Sequence, residues 1–406
     1  METDVHPQRT VNRLVHITTV PITLRFLRGQ AGYMRQRGLD VHVISSPGEE
    51  LNSFGREERV PTRAVGMARR IAPLHDVGSL IRLSRELYRI RPTIVHAHTP
   101  KGGMLGMLAA WLTRVPLRIY HLHGLRYMTA RGWRRRLLMA TERLSCSLAT
   151  RVLCVSDSIR DVAIADTLCE PGKIVVLAGG TINGVDADGA FNPDRFDPGT
   201  RPTVRHKLGI PDDALVIGFV GRIVRDKGIH ELAEAWGRLR HDCPDAHLVL
   251  AGPIEPQDPI DPIVLRSLGD DSRVHLTGMM ADTASLYVAF DLVALPTYRE
   301  GFPNVPLEAA AMRLPVVATH IPGCVDAVDD GVTGTLVPAR DAEALREAIA
   351  SYLADETRRT AHGVAGRERV LRAFRQEDIW DAVYQEYARV ARTRGIDLPI
   401  DTSSID

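Results

Sequence analysis

The 406-residue chain is 44% hydrophobic, 25% charged and 5% aromatic, a soluble globular profile that excludes collagen-like, disordered and coiled-coil classes. Its length sets a prior of two to three domains. The formal net charge of +1 conceals an asymmetry, because residues 1–150 hold 24 Lys+Arg against 10 Asp+Glu and residues 151–406 hold 27 against 40. Two halves of opposite sign are expected to meet different partners, the basic half anions or an anionic membrane surface.

In chain order, short β-branched runs at residues 14–18, 41–45, 93–98, 117–123 and 151–156 are predicted strands, most of them separated by helical patterns. The alternation restarts at 215–221, 247–252, 274–278, 292–296 and 315–319. Such repetition implies parallel sheets covered on both faces. Between the two series, residues 183–213 are rich in Pro, Gly and Asp without periodicity and are the expected linker. The prediction is therefore two doubly wound α/β domains in tandem, with ligands at the carboxyl ends of the strands in the cleft between them. The tail beyond Gly395 is expected to fray.

Several classes are set aside. Five cysteines without a C-x-x-C argue against a disulfide framework or structural zinc and fit a reducing compartment. Residues 1–10 lack an apolar signal core, and the best apolar stretch, 104–112, is far short of the roughly twenty residues of a membrane span. The protein is expected to be soluble or peripheral. Only four of the 51 basic residues are lysine, Lys101, Lys173, Lys207 and Lys227. An Arg-favouring codon bias explains the shortage, and a lysine retained against it marks a place where a compact point charge is wanted.

The most specific motif is Glu300-Gly-Phe-Pro-Asn-Val-Pro-Leu-Glu308, which follows a strand and opens a helix. Asn304 is read as the N-cap and Pro306 as an early helical position. The amides of that helix start form an anion site, beside a carboxylate able to accept hydrogen bonds from sugar hydroxyls. The second motif, Gly221-Arg-Ile-Val-Arg-Asp-Lys-Gly228, can bring Arg222 and Lys227 to a diphosphate.

On these two motifs the second half resembles the nucleotide-sugar domain of the large bacterial family of retaining GT-B glycosyltransferases, with Glu300 and Glu308 meeting its E-x7-E pattern and Arg222 and Lys227 its G-R-x-x-x-x-K-G pattern. Residues 94–103, 120–127 and 179–186 resemble the branch that builds capsule, O-antigen and glycan repeat units on polyprenyl diphosphate. The resemblance covers nearly the whole chain. It implies two Rossmann-like domains facing a cleft: residues 1–184 for the acceptor, with a helix at 377–395 packing back on them, and residues 185–376 for the nucleotide sugar.

The resemblance also implies roles. Glu308 would bind the nucleotide ribose, Arg222 and Lys227 the diphosphate, and Glu300 the donor hexose. The segment Gly301, Phe302, Pro303, Asn304 and Val305 would line sugar and phosphates, and Gly278 and Met279 the base. His123 would lie beside the reacting sugar. His98, Lys101 and Asn183 are further candidates for substrate contact. The loop after the first strand departs from the family: it has no glycine, and the hydroxyls of Thr18 and Thr19 are expected to stand in for backbone donors.

The implied reaction moves a sugar, a HexNAc or related hexose, from a UDP-sugar to a polyprenyl-diphosphate-linked saccharide with retention, at the cytoplasmic face of the plasma membrane and with no cofactor or metal. A soluble acceptor and a nucleotide-sugar epimerase are the alternatives. The pairs His96/His98 and His121/His123 suit zinc by type and spacing, but no carboxylate completes a set. His96 and His121 are read as core groups, His98 and His123 as reaching the cleft. Residues 126–138, basic with interleaved aromatics, are either a solvated face or a contact for anionic lipid; no nucleic-acid motif accompanies them.

Overall fold

The computed structural model describes residues 12–70, 72–255, 258–280 and 282–399. Residues 1–10, read above for a signal core, and the last residues of the tail lie outside them. Strands β1 (Arg13–Ile17), β2 (Asp40–Ser45), β3 (Thr62–Ala64), β4 (Ile94–His98), β5 (Leu117–Leu122), β6 (Arg151–Cys154) and β7 (Ile174–Val176) form one sheet in the order β3-β2-β1-β4-β5-β6-β7. Strands β8 (Leu215–Val220), β9 (Ala246–Ala251), β10 (Val274–Gly278), β11 (Leu292–Leu295), β12 (Val316–Thr319) and β13 (Gly334–Val337) form the other, in the order β10-β9-β8-β11-β12-β13. The strand pairings are parallel, and β4, β9 and β12 are buried along their whole length, as sheets covered on both faces require.

The chain is thus a pair of Rossmann-like α/β domains. In each sheet the strand order reverses once, between β1 and β4 and between β8 and β11, and ligands of such sheets bind outside the carboxyl ends at that point. Three strands absent from the sequence reading, β3, β7 and β13, are sheet edges of three or four residues. Edges are kept short against stray pairing, and such lengths carry no usable periodicity.

Alternate residues of the first sheet feed two cores. Val15, Ile17, Val95, Ala97 and Tyr120 pack on one face; Leu14, Ile94, Leu117 and Ile119 pack on the other, against Val383, Tyr384 and Tyr387 of the C-terminal helix Gln376–Arg392. That helix returns to the first domain through Arg151–Glu386 (2.5 Å) and Tyr33–Asp381 (3.1 Å). Outgoing and returning chains cross side by side, with the Val185 amide bonded to the Phe374 carbonyl at 2.9 Å. A separate apolar cluster, including Val155, Ile182, Phe302, Leu307, Val370 and Phe374, fills the seam between the domains.

Two expectations need correction. The segment 183–213 is not a plain linker: it holds the helix Thr200–Leu208, closed by Gly209 with φ 72°. Its polar sequence hides the helix because the face it buries is an arginine. Arg205, 1% exposed, bonds the carbonyls of Asp212, Ala214 and Ala289 and the Asp291 carboxylate. The tail is not frayed through Pro399, since Leu398 is buried and Asn12 donates to the Asp397 carbonyl at 2.9 Å. We expect Arg205→Ala to leave three carbonyls unpaired, to reduce Asp291 to its bonds with Arg201 and the Val216 amide, and to destabilise the second domain by about 3–5 kcal/mol, measurable by chemical denaturation; a change under about 1 kcal/mol would refute this anchoring role.

Candidate active site

On the second domain, two loops leave neighbouring strands at the switch point. The loop after β8 carries Arg222 and the turn Arg225–Lys227; the loop after β11 carries Thr297–Pro303. They are tied together, the Tyr298 amide donating to the Asp226 carbonyl at 2.9 Å and Arg299 reaching the Asp226 carboxylate at 3.2 Å. That tie brings the Lys227 ammonium onto the Glu300 carboxylate as a hydrogen-bonded ion pair, largely withdrawn from solvent. Arg222 bonds Glu255 at 2.9 Å and stays half-exposed.

The helix Asn304–Ala311 begins at the same place. Asn304 is its first residue rather than its cap: extended Pro303 holds the cap position and supplies no side-chain bond. Among the described residues the amides of Asn304 and Val305 have no protein partner, the usual state of a helix start and a ready anion cradle. Glu308 stands one turn on, where its Oε2 accepts from the Tyr287 hydroxyl at 2.8 Å. Burial raises the pKa of this carboxyl, against the opposing pull of the Tyr287 bond and Arg25. Its Oε1 has no protein partner among the described residues. Gly278 (φ 68°) and exposed Met279 end β10 at the margin. The Phe302 side chain turns into the domain seam, so only its backbone lines the site.

The first domain meets this wall backbone to backbone. A Cβ on Gly301 would lie 1.9 Å from the His123 carbonyl oxygen, and one on Gly124 (φ 131°) 3.1 Å from the Gly301 Cα. Ser156 Oγ donates to the Gly301 carbonyl at 2.8 Å. His123 is therefore placed beside Glu300–Gly301. Two arginines that were not among the site candidates face the same space. Burial lowers the pKa of Arg25, which Glu308 raises and Arg222 lowers in turn. Burial likewise lowers that of Arg126, and Arg299, Arg69, Arg134 and Arg222 add repulsion. Arg126 opens the basic stretch 126–138 read above as a solvated face or a lipid contact, whereas no motif marks Arg25.

Five first-domain candidates are used elsewhere. The Thr18 hydroxyl donates to Ser45 (2.9 Å), and that of Thr19 meets Thr99 (2.7 Å) and the Gly102 amide (2.8 Å), so neither is free to replace a glycine loop. Lys101 is paired with both Asp76 oxygens at 2.9 Å and bonded to the Arg70 carbonyl, an internal partner 25 residues away in sequence. Asn183 clamps Trp380 (2.6 Å) and the Arg28 carbonyl (3.1 Å). His98 does not reach the cleft: it is 2% exposed, between His16 and His123.

The two facing switch points, with cations and a helix start on one wall, define a two-domain cleft with an anion-binding wall. The comparisons agree. Residues 24–180 match the glycosyl transferase 4-like domain and residues 214–355 the glycosyl transferases group 1 domain. The chain is 34% identical over 375 residues to the capsular polysaccharide biosynthesis glycosyltransferase CapM of Staphylococcus aureus, covering 92% of this chain and 96% of that protein. It is 27% identical to the UDP-Gal:alpha-D-GlcNAc-diphosphoundecaprenol alpha-1,3-galactosyltransferase of Escherichia coli, over 73% and 74% of the two. It is 30% identical to the D-inositol 3-phosphate glycosyltransferase of Mycobacterium tuberculosis, over 86% and 69%. In fold it is similar to Anabaena Alr3699/HepE in complex with UDP-glucose, with TM-score 0.76, 21% identity and coverage of 95% and 100%. The protein belongs to the group 1 glycosyl transferases and is a GT-B glycosyltransferase.

Because no side chain fits between Gly301 and His123, Gly301→Ala is expected to hold the domains apart and lower transfer at least about a hundredfold while circular dichroism stays unchanged. Full turnover would show that this contact is dispensable.

Proposed function

We infer that the enzyme transfers a sugar, a HexNAc or related hexose, from a UDP-sugar to a saccharide carried on polyprenyl diphosphate, with retention, in polysaccharide or glycan assembly. The observation that carries the donor half is the single wall holding the Lys227–Glu300 pair, the free amides of Asn304 and Val305, and Glu308 with one carboxylate oxygen open. Glu308 accepts from the ribose hydroxyls, and the base lies toward Gly278 and Met279. Arg222, Lys227 and the helix start take the charge that develops on the leaving diphosphate, with Arg25 and Arg126 closing from the other domain. Fixed charges and dipoles of this kind are commonly the largest catalytic term, and they do this work without a metal. Glu300 holds the hexose while the acceptor hydroxyl oxygen bonds to its anomeric carbon. The carbon–phosphate-oxygen bond breaks on the same face, and the hydroxyl proton leaves with the diphosphate.

The lipid-linked acceptor rests on the relatives from Staphylococcus aureus and Escherichia coli and on one face of the first domain. The helices Pro73–Ile90, Pro100–Leu112 and Gly132–Leu148 pack side by side. They expose Leu74, Val77, Ile81, Tyr88, Trp111 and Trp133. Residues 73–148 carry 13 Lys+Arg against three acids, and of those acids Asp76 pairs with Lys101, Glu86 with Arg89, and Glu142 is buried. Apolar side chains within a basic field suit an anionic lipid surface, each nearby cation adding about 1 kcal/mol. The enzyme would then work peripherally on the cytoplasmic leaflet; among the described residues no helix is long and apolar enough to cross a membrane. A second reading, a soluble acceptor, is favoured by the relatives named for D-inositol 3-phosphate.

Two measurements test these halves. In calorimetric titration with UDP-sugar, Glu308→Ala should weaken binding about 10–100-fold, the scale of hydrogen bonds to a charged group. Since burial raises the Glu308 pKa, donor affinity should be full above that pKa and fall as pH drops through it, at a higher pH than for an exposed glutamate. Glu308→Gln should be flat across the same range, and unchanged affinity in Glu308→Ala would remove the ribose role. In flotation with vesicles containing anionic lipid, the wild type should float and the Ile81→Glu/Trp133→Glu double variant should not; a wild type that stays in solution favours the soluble acceptor.

A further inference from the structure

Five histidines, His16, His96, His98 and His121 buried and His123 half-buried, line the carboxyl edge of the first sheet, on the face that carries Leu14, Ile94 and Ile119 nearer the strand starts. Two files run through them. In one, His16 Nδ1 is 3.0 Å from His98 Nε2, and His98 Nδ1 is 3.1 Å from His123 Nε2. In the other, the Tyr387 hydroxyl meets His96 Nδ1 at 2.5 Å, and His96 Nε2 is 3.2 Å from His121 Nδ1. Only the first file reaches the cleft, at His123, whose Nδ1 has no protein partner among the described residues. At its far end His16 Nε2 is buried and unpartnered.

No carboxylate, lysine or arginine among the described residues bonds any member of this file. Burial pushes the pKa of His16 down to about 3, that of His123 to about 4 and that of His98 well below the usual value, where the neighbouring histidines add repulsion. At neutral pH each ring is therefore uncharged and carries one N–H. A neutral imidazole that donates through one nitrogen accepts through the other, so the file has only two arrangements. With every proton on Nε2, the file ends on a buried N–H of His16 that nothing accepts. With every proton on Nδ1, it ends on a bare lone pair of His16, and His123 presents Nδ1–H to the cleft. An orphaned buried N–H is the rarer defect in folded proteins, which selects the second arrangement.

We propose that His98 and His16 are positioning residues that lock His123 in its Nδ1–H tautomer, making it a fixed hydrogen-bond donor to a sugar oxygen in the cleft and not a base. The assignment of the cleft to sugar transfer is the reading on which this rests. A base role would send a proton onto His123 Nδ1 and leave a positive charge in a file that holds no carboxylate, unlike the imidazole of a Ser-His-Asp triad, which an aspartate supports. His98 touches no substrate; its effect passes through the ring it orients.

The test is the tautomer itself, read from long-range 1H–15N correlations of the full-length protein with 15N-labelled histidine, the His123 signals being assigned by their loss in His123→Ala. The expected result is a protonated Nδ1 and a bare Nε2 on His123; a protonated Nε2 in the wild type overturns the proposal. His98→Phe keeps a ring but removes both bonds. It should let His123 populate the Nε2–H form and lower kcat about tenfold, the scale of one hydrogen bond, with KM unchanged. His98→Asn, whose amide nitrogen can occupy the place of Nδ1 and still donate, should restore both tautomer and kcat; a role in packing alone would harm Asn more than Phe and would sink the proposal. The nitrogen shifts do not depend on activity, so a His123→Ala enzyme with full turnover would refute the transfer role of His123 while the tautomer lock still stands or falls on the spectra.

Discussion

The structure depends on one close approach, the backbone of Gly301 against the backbone of His123 and Gly124. It joins the carboxyl-end loops of two separate sheets, and it is possible because neither glycine has a side chain. Below it, the apolar seam around Phe302, Leu307 and Phe374 supplies burial that holds the approach, and the C-terminal helix ties the end of the chain to the first sheet. Were the seam wider by one methyl group, His123 would leave the neighbourhood of Glu300 and the two walls would cease to be one site.

Charge is distributed with the same economy. From the basic first half, Arg25 stands near Glu308 and Arg222, and Arg126 near Arg222 and Arg299, with Arg69 and Arg134 close to Arg126. Much of the remainder is spread over the outer helices among exposed tryptophan, isoleucine and leucine. On the acidic second half the two cations of the candidate site are held by acids, Lys227 by Glu300 and Arg222 by Glu255. Such pairing keeps a cation in place before a ligand arrives, and an incoming diphosphate would compete with the carboxylate for it. Of the four lysines, Lys101 neutralises Asp76, Lys173 bonds the Ser147 carbonyl and Lys207 is exposed on the helix Thr200–Leu208, which leaves Lys227 as the lysine at the candidate site.

Where the candidate polar residues and the structure part, the cause is a partner distant in sequence. Thr18, Thr19 and Lys101 sit at the ends of strands aimed at the cleft, as ligand residues do, yet their polar groups are taken by Ser45, Thr99 and Asp76. Asn183 is held by a tryptophan almost two hundred residues away. The helix Thr200–Leu208 was hidden because it buries a guanidinium where a hydrophobic stripe was sought. His16 gave no signal alone; parallel registry sets it beside His96, and through the sheet beside His98.

By itself the sequence determined the two-domain parallel architecture, because alternating β-branched runs and amphipathic segments state their own period. It also brought together Glu300, Glu308, Arg222 and Lys227 as candidates for one wall, because they lie in two contiguous motifs whose spacing is local. The tertiary structure decided the other wall: which histidine faces the cleft, which arginines stand near Glu308 and Arg222, and which polar residues are already satisfied. Those outcomes follow from hydrogen bonds and ion pairs between strands far apart in the chain, and a linear pattern does not record them.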